Sequence, residues 1–567
     1  MMKKKYLPAP DNLAKSRFTH IIFLMVVLWL GCFYGLGAAG VFDLDEGLYT
    51  TVSRQMADSG DWLIPKIGTQ VFFDKPPLLY WLQAGSIKLL GPTSFAVRLP
   101  SAVAAALTAL SLLWWARRRG LERTGWLAAV VFAFSTLTIG LSRQAITDSL
   151  LTLWFTLSVI GWTEGNRGKR WGYILMAAAA GFATMTKGTI GVLLPGAAFV
   201  VRMVIMRDFR ELKRVPWIGA IGLYLLIVLP WHLALWRVNG SAFINEYIVH
   251  QQIARFLGKD FAHNQPFWFY LPILLIGAFP WSAVMPIAWW QGIRSGRSNE
   301  KDTGEWTMWA IWAAVVIGFF SISASKLPGY VQPALPALSI LAARRLLDEK
   351  TKSLARLECV LAVIGGMLLG GIFTSAGVLG KLLQSQASIT LGGKPVPSTV
   401  ADALVVMYPF ALSTGILFLC GTVFIVLRRK VVPQIITAGA LTGAVFAMLA
   451  GGIGLPAWSG YNIDPLHTLA GKTIPALERG EKLIVYHFER RRPSLLFVTG
   501  RADRVIEIDS TDKPNEPEVL EREISQAERG YILAERSVDI PSLGCTLRRK
   551  STAGRWVLWQ FAESDKQ

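Results

Sequence analysis

The chain is a succession of apolar runs, each close to the ~20 residues that a helix needs to cross a bilayer, separated by short polar segments. Thirteen such runs can be read, at 18–41, 99–116, 124–142, 147–163, 171–186, 188–206, 215–236, 266–290, 306–323, 328–343, 357–379, 403–427 and 431–456. A backbone in hydrocarbon must satisfy its own hydrogen bonds, so the runs predict a mainly α, polytopic membrane protein with about 13 transmembrane helices. The first run follows MMKKK, is longer than the core of a signal peptide and has many successors, so it is expected to remain as the first helix. Composition agrees. Of 567 residues, 52% are hydrophobic and 17% charged, and the 22 Trp and 29 Phe suit membrane interfaces.

Charge supplies the direction. The formal charge of +20 would suit nucleic acid or anionic lipid, but no nucleic-acid motif is present and the basic residues lie in short clusters between apolar runs. That is the pattern of the positive-inside rule, so membrane lipids and topology explain the charge, and no nucleic acid is expected. With the N-terminus in the cytoplasm, segments 1–17, 116–124, 164–171, 207–214, 291–302, 344–356 and 428–430 hold 27 Lys and Arg, whereas the longer outer segments hold 13. ARRRGLER, EGNRGKR, RDFRELKR and RRLLDEKTKSLAR all fall on the same side. The chain is therefore expected in a bacterial inner membrane, with the region after residue 456 in the periplasm.

Two outer stretches are long. Residues 42–98 contain SRQMADSGDW and PPLLYWLQAGSIKLLG, which read as short periplasmic juxtamembrane helices, and residues 237–265 form a second outer loop. Beyond 457 the composition changes: KLIVYHF, SLLFVTG, RVIEIDS, YILAER and RWVLWQF read as strands, and EPEVLEREISQAERG as a helix. These predict a transmembrane domain over 1–456 and a small soluble periplasmic α/β domain over 457–567. Cys32, Cys359, Cys420 and Cys545 have neither disulfide nor metal-ligand spacing.

Ionisable residues gather at the outer ends of the runs: Asp43, Asp45 and Glu46 in VFDLDEGLYT, Asp74 and Lys75 in FFDKPPLLYW, Arg143 and Asp148 in SRQAITDSLL, Lys187, and Lys326 with Tyr330 in SASKLPGYVQPALP. His250, Arg255 and His263 lie in the second outer loop. Each has an ordinary explanation: a carboxylate past a helix end is often solvated or capping, a lysine there snorkels, and LPGY breaks a helix. Convergence argues for more, because groups from at least five hairpins end at one membrane level. Charge at that depth is costly and is kept where it faces a cavity or a substrate. A lipid-linked phosphate donor places its sugar at the same level, where Lys and Arg would neutralise the phosphate and a carboxylate would orient or deprotonate an acceptor. No Walker loop or GxGxxG cradle occurs, so no nucleotide is expected.

The segment VFDLDEGLYTTVSRQMADSGDWLIPKIGTQVFFDKPPLLYWLQAGSIKLLGPTSFAVRLPSA, with RQAITDSLL and SKLPGYVQPALPAL, resembles the bacterial aminoarabinose transferases of lipid A. That family stands with the protein mannosyltransferases in the C-type membrane glycosyltransferase superfamily, and the resemblance covers the membrane part. It implies thirteen helices and a periplasmic active site. It also implies inverting transfer of 4-amino-4-deoxy-L-arabinose from an undecaprenyl-phosphate donor to a lipid A or lipopolysaccharide acceptor, the modification that confers polymyxin resistance. By motif, Asp45 and Asp148 match catalytic acids, although which of them acts as base, if either, stays open. Lys75, Arg255 and Tyr330 match groups near the carrier phosphate, Lys187 matches a further basic residue, and Glu46 and Lys326 lie beside them. Asp74 and His250 match a pair that holds a divalent metal such as zinc. One position departs: the family reads Asp-Glu-x-Arg-Tyr, and Leu48 stands here in place of the arginine. The alternatives are the same mechanism with another sugar or acceptor (a hexose, a uronic acid, a protein or another glycan) and a lipid or solute transporter without catalysis.

Overall fold

The computed structural model describes residues 10–254, 265–296, 303–385, 390–391, 394–395, 398–488, 491–509, 516–527, 529–541 and 545–563. All thirteen apolar runs are built on helix, but several are not single helices. Among the described residues, six helices are long and apolar enough to cross a membrane by length and composition: Ser94–Arg117, Trp217–Gln251, Gly304–Ile322, Arg356–Gln384, Val400–Leu427 and Val432–Asn462. Run 124–142 divides into Glu122–Ala133 and Thr136–Leu141, and run 266–290 into Tyr270–Gly277 and Met285–Ser295. The two breaks satisfy each other. Thr136 donates its N–H to Phe279 O at 3.3 Å and its hydroxyl to Ile276 O, so backbone groups freed by one break are paired across the other. The break also frees the short helix Thr136–Leu141 to line the cavity described below.

The second outer stretch is helical through Ala254 rather than a loop. Helix Trp217–Phe243 bends at Gly240, which takes φ 55°, and runs on as the π-helix Ile244–Ala254. Glycine adopts that conformation at no steric cost, so two helical segments join there across a kink. In the first outer stretch, helices Asp45–Ser59 and Leu78–Leu90 flank a two-residue hairpin pairing Lys66–Ile67 with Gln70–Val71.

After Gly454 come three short helices, Leu455–Asn462, Asp464–Gly471 and Ile474–Glu478. A sheet follows with strands β1 (Lys482–Phe488), β2 (Val505–Asp509), β3 (Arg529–Glu535), β4 (Cys545–Ala553) and β5 (Trp556–Glu563), in the order β2-β1-β3-β5-β4. One expected strand is a helix: SLLFVTG forms Pro493–Thr499. The reason is topological. β1 and β2 pair in parallel, and a parallel pair needs a crossover between its strands. Pro493 in the first turn and Gly500 at φ 66° just past the end are the matching helix punctuation. Strand β4, with its run LRRK, shows no apolar alternation that would predict it. It is an edge strand paired to β5, where exposed cations deter further pairing.

Candidate active site

A cavity of about 550 Å³ opens where the loop 42–46, the short helix Thr136–Leu141, the start of helix Asp148–Asn166, Lys75, Lys187 and the turn 327–330 meet. Asp45, Glu46, Lys75, Asp148, Lys187 and Tyr330 all line it, and they come from five separate parts of the sequence. With Asp43, seven of the residues singled out from the motifs thus share one space. Their surroundings give them different work.

The three acids of VFDLDEG show this best. Glu46 is 3% exposed, and its carboxylate is fully engaged. Arg98, itself 0% exposed, donates through Nε at 2.8 Å to one oxygen and through Nη2 at 3.0 Å to the other. The backbone N–H groups of Phe42 and Ala145 add bonds of 2.8 Å each. Arg98 also donates to the carbonyls of Leu36, Ala39 and Gly40. This is a buried clamp that fixes the loop, so Glu46 supports the site rather than receiving substrate. Asp43, also at the cavity wall, is held by the C-terminal region, accepting from Arg492 Nη1 at 2.8 Å and Ser494 N at 3.2 Å. Asp45 opens helix Asp45–Ser59 and faces the cavity. Between Asp43 and Asp45, Leu44 is held at φ 62°, ψ −124°, a conformation that costs a non-glycine residue about 1–3 kcal/mol and persists only where neighbours over-determine it.

Lys75, 7% exposed, donates to Asp74 Oδ1 at 2.7 Å, and Tyr49 donates to Asp74 Oδ2 at 3.0 Å. Across the cavity, Lys187 donates to Asp148 Oδ1 at 2.8 Å and sits 4.2 Å from the centre of the Tyr330 ring. Gly329 makes this geometry possible, since a Cβ there would lie 3.2 Å from the Asp148 carboxyl. The LPGY turn is therefore a seat for Asp148 as well as a helix breaker. Both ammonium groups border the cavity, so both place positive charge where an anion would sit.

Other expected residues lie elsewhere. Lys326 is buried and donates to the carbonyls of Gln265 and Ser323, which fits a tie between chain segments rather than a ligand contact. Arg143 gives its guanidinium to the carbonyls of Leu30, Gly31, Tyr34 and Ile139, closing the end of the first helix. His250 is partly exposed and its Nδ1 lies 3.2 Å from Glu246 Oε1. Arg255 and His263 fall outside the described residues. For a metal, Asp74 carries the Lys75 ion pair, and among the described residues no group of three or more His, Cys, Asp or Glu side chains is placed to hold an ion. Arg98 is the residue that the sequence reading missed. A lone arginine inside the apolar run SFAVRLPSAVAAAL was the available signal.

Comparison with known proteins places this geometry. Residues 74–234 match the family model of dolichyl-phosphate-mannose-protein mannosyltransferases. The undecaprenyl phosphate-alpha-4-amino-4-deoxy-L-arabinose arabinosyl transferase of Pectobacterium carotovorum subsp. carotovorum is 32% identical over 346 residues, 59% of this chain and 59% of that protein. The resemblance to the aminoarabinose transferases holds. The chain spans about three fifths of the length of such relatives in the matched region. The fold extends the likeness to the whole chain. The crystal structure of ArnT from Cupriavidus metallidurans bound to undecaprenyl phosphate superposes with a TM-score of 0.75 at 20% identity, covering 96% of this chain and 98% of that one. The oligosaccharyltransferase of Archaeoglobus fulgidus shares the fold more distantly, with a TM-score of 0.52 at 11% identity over 91% of this chain and 69% of that one.

Proposed function

We propose that the chain is an inverting glycosyltransferase that moves 4-amino-4-deoxy-L-arabinose from undecaprenyl phosphate to a phosphate of lipid A. In this reading it sits in the bacterial inner membrane with about thirteen crossings, a cytoplasmic N-terminus, and both the cavity and residues 457–567 in the periplasm. The observation that carries the reading is the cavity itself, where Asp45, Asp148, Lys75, Lys187 and Tyr330 converge. The similarity to enzymes named for that transfer supports the choice of donor.

The chemistry follows from the charges. An acceptor oxygen attacks the anomeric carbon on the face opposite the carrier, the bond from that carbon to the phosphate oxygen breaks, and undecaprenyl phosphate leaves. Lys75 and Lys187 stabilise the charge that grows on the departing phosphate. A lipid A phosphate is already anionic and needs no base. A hydroxyl acceptor would pass its proton to Asp45 or Asp148. Asp74 and His250 would supply two donors to a metal, an incomplete set.

Leu48 favours a second reading, in which the mechanism is kept but the sugar or acceptor differs, because the cation that the family places one turn after Asp45 is missing. Lipid A mass spectrometry of a deletion strain under inducing conditions separates the two. Loss of the aminoarabinose adduct is expected, and an unchanged lipid A would refute the first reading. In that case purified protein given other lipid-linked sugars identifies the donor.

A further inference from the structure

Helix Asp45–Ser59 presents two faces to two neighbours. Residues 47, 51 and 54, spaced by four and three, lie along one side of the helix and meet the crossover helix Pro493–Thr499, and Asp43 in the loop before it meets the start of the same element. Asp43 accepts from Arg492 and Ser494 N. Gly47 lies so close that a Cβ would stand 2.7 Å from Ser494 N. Thr51 donates to Pro493 O at 3.1 Å. Arg54 donates to Phe497 O and, at 2.9 Å, to Val498 O. The other side carries Asp45 into the cavity and Tyr49 onto Asp74, the partner of Lys75. A helix is stiff over two turns, so wherever the crossover helix holds one face, the other must follow. The strained Leu44 sits at the junction, directly after the residue that Arg492 grips.

Arg492 is itself braced. Its N–H donates to Glu507 Oε1 at 2.8 Å, and its guanidinium lies 5.6 Å from the centre of the Phe488 ring. A second tie fastens the loop from the same C-terminal region: Gly40 N donates to Ser459 Oγ at 2.7 Å, and Ser459 in turn donates to Asp464 at 2.7 Å.

We propose that the C-terminal region is a positioning element for the cavity, in which Arg492 and the Pro493–Thr499 helix set the placement of Asp45 and, through Tyr49, of Asp74 and Lys75. The proposal rests on the transfer reading only for its effect on turnover; the mechanical part stands apart from it. The test is hydrogen exchange of the full-length protein in detergent micelles, read on peptides from residues 41–58, beside donor turnover. In Arg492→Ala and in Gly47→Ala, exchange in that segment speeds up about tenfold while the sheet keeps its protection. Arg492→Lys, which retains the cation, returns exchange towards the parent. On turnover, kcat falls about tenfold and KM changes less than about twofold, because the reacting groups are misplaced more than binding is lost. Gly47→Ala leaves the ion pair intact, so it decides the matter if Arg492→Ala fails to fold. Parent-like exchange in both variants overturns the proposal, and so does equal acceleration along the whole chain. A parent that turns over no donor refutes the transfer reading and leaves the exchange result to judge the positioning role.

Discussion

Two clusters of buried charge stand at opposite ends of the same helices. Asp148 begins helix Asp148–Asn166 and lines the cavity, whereas Glu164 lies near its other end, about 24 Å away at the rise of an α-helix. At the far end Arg119 is 4% exposed, donates to Glu164 at 2.7 Å and pairs with Glu305. Arg118 reaches Glu164 at 3.3 Å, Arg167 reaches Glu305 at 3.1 Å, and the Arg119 guanidinium lies 4.2 Å from the Trp115 ring centre. There the charges fasten three helices to one another. In the cavity, by contrast, Lys75 and Lys187 each hold a carboxylate and also border open space. Burial and pairing do not distinguish the two clusters; the adjoining void does.

The contrast is broken most severely by removing a partner at the far end. Glu164→Ala removes the carboxylate shared by Arg119 and Arg118 but leaves Arg119 paired with Glu305 and Arg118 in contact with water. It should therefore cost roughly 1.5–3 kcal/mol of stability, the range for losing a hydrogen bond to a buried charged group. Thermal unfolding in detergent measures it, and KM for the donor should stay at the parent value. A loss below about 1 kcal/mol would mean that water reaches Arg119, and the cluster would then be no more than a solvated basic turn.

The cavity should answer in the opposite way. Lys75→Ala and Asp148→Asn are expected to lower turnover by about 10²–10³-fold, the range for removing a preorganised charge at a reacting centre. Their unfolding midpoints should move far less than that of Glu164→Ala. Parent-like turnover in both would remove the cavity from the mechanism.

The sequence could show one of these regions far better than the other. Asp45, Lys75, Asp148 and Lys187 were legible because they stand at the ends of apolar runs, where helix ends and breakers gather them whatever the packing. The runs ARRRGLER and EGNRGKR read only as basic clusters, and nothing local says that Arg119 turns inward, because that depends on where Glu164 and Glu305 arrive. The same limit hid Arg98 beneath Glu46 and Arg492 beside Asp43, pairs separated by 52 and 449 residues. SLLFVTG failed for a related reason. A seven-residue apolar run has no decisive period, and its helical state is set by the parallel pairing of β1 with β2.

Beneath the acid loop, His467 offers a smaller lever that spares both clusters. Its ring packs under the Gly40 backbone, its Nε2 is buried, and burial pushes it down to about 4, with Asp43 and Asp464 opposing less strongly. A histidine depressed in the folded state contributes stability that is present above the unfolded value near 6.5 and lost as pH falls towards 4. Between those limits the parent should lose roughly 2 kcal/mol more than His467→Gln, read from unfolding midpoints across the pH series. Parallel curves would place the ring in contact with water.

Two glycines of the same cavity give the finest test. Gly140 and Gly329 both line it, and a methyl at Gly140 would meet nothing within 4 Å, whereas one at Gly329 would lie 3.2 Å from Cγ and Oδ2 of Asp148. Both alanines therefore remove similar space from the cavity. Only Gly329→Ala must also push the carboxylate that Lys187 holds. A displacement of a few tenths of an ångström at a charged group is expected to lower turnover about tenfold. Gly140→Ala should stay within about twofold, because a helical alanine there adds surface without moving a charge. If the two variants behave alike, cavity volume governs the rate and the seat of Asp148 does not. If Gly329→Ala alone is slow, its loss should shrink when Lys187 is also changed to Met, since the carboxylate is then no longer held against the new methyl.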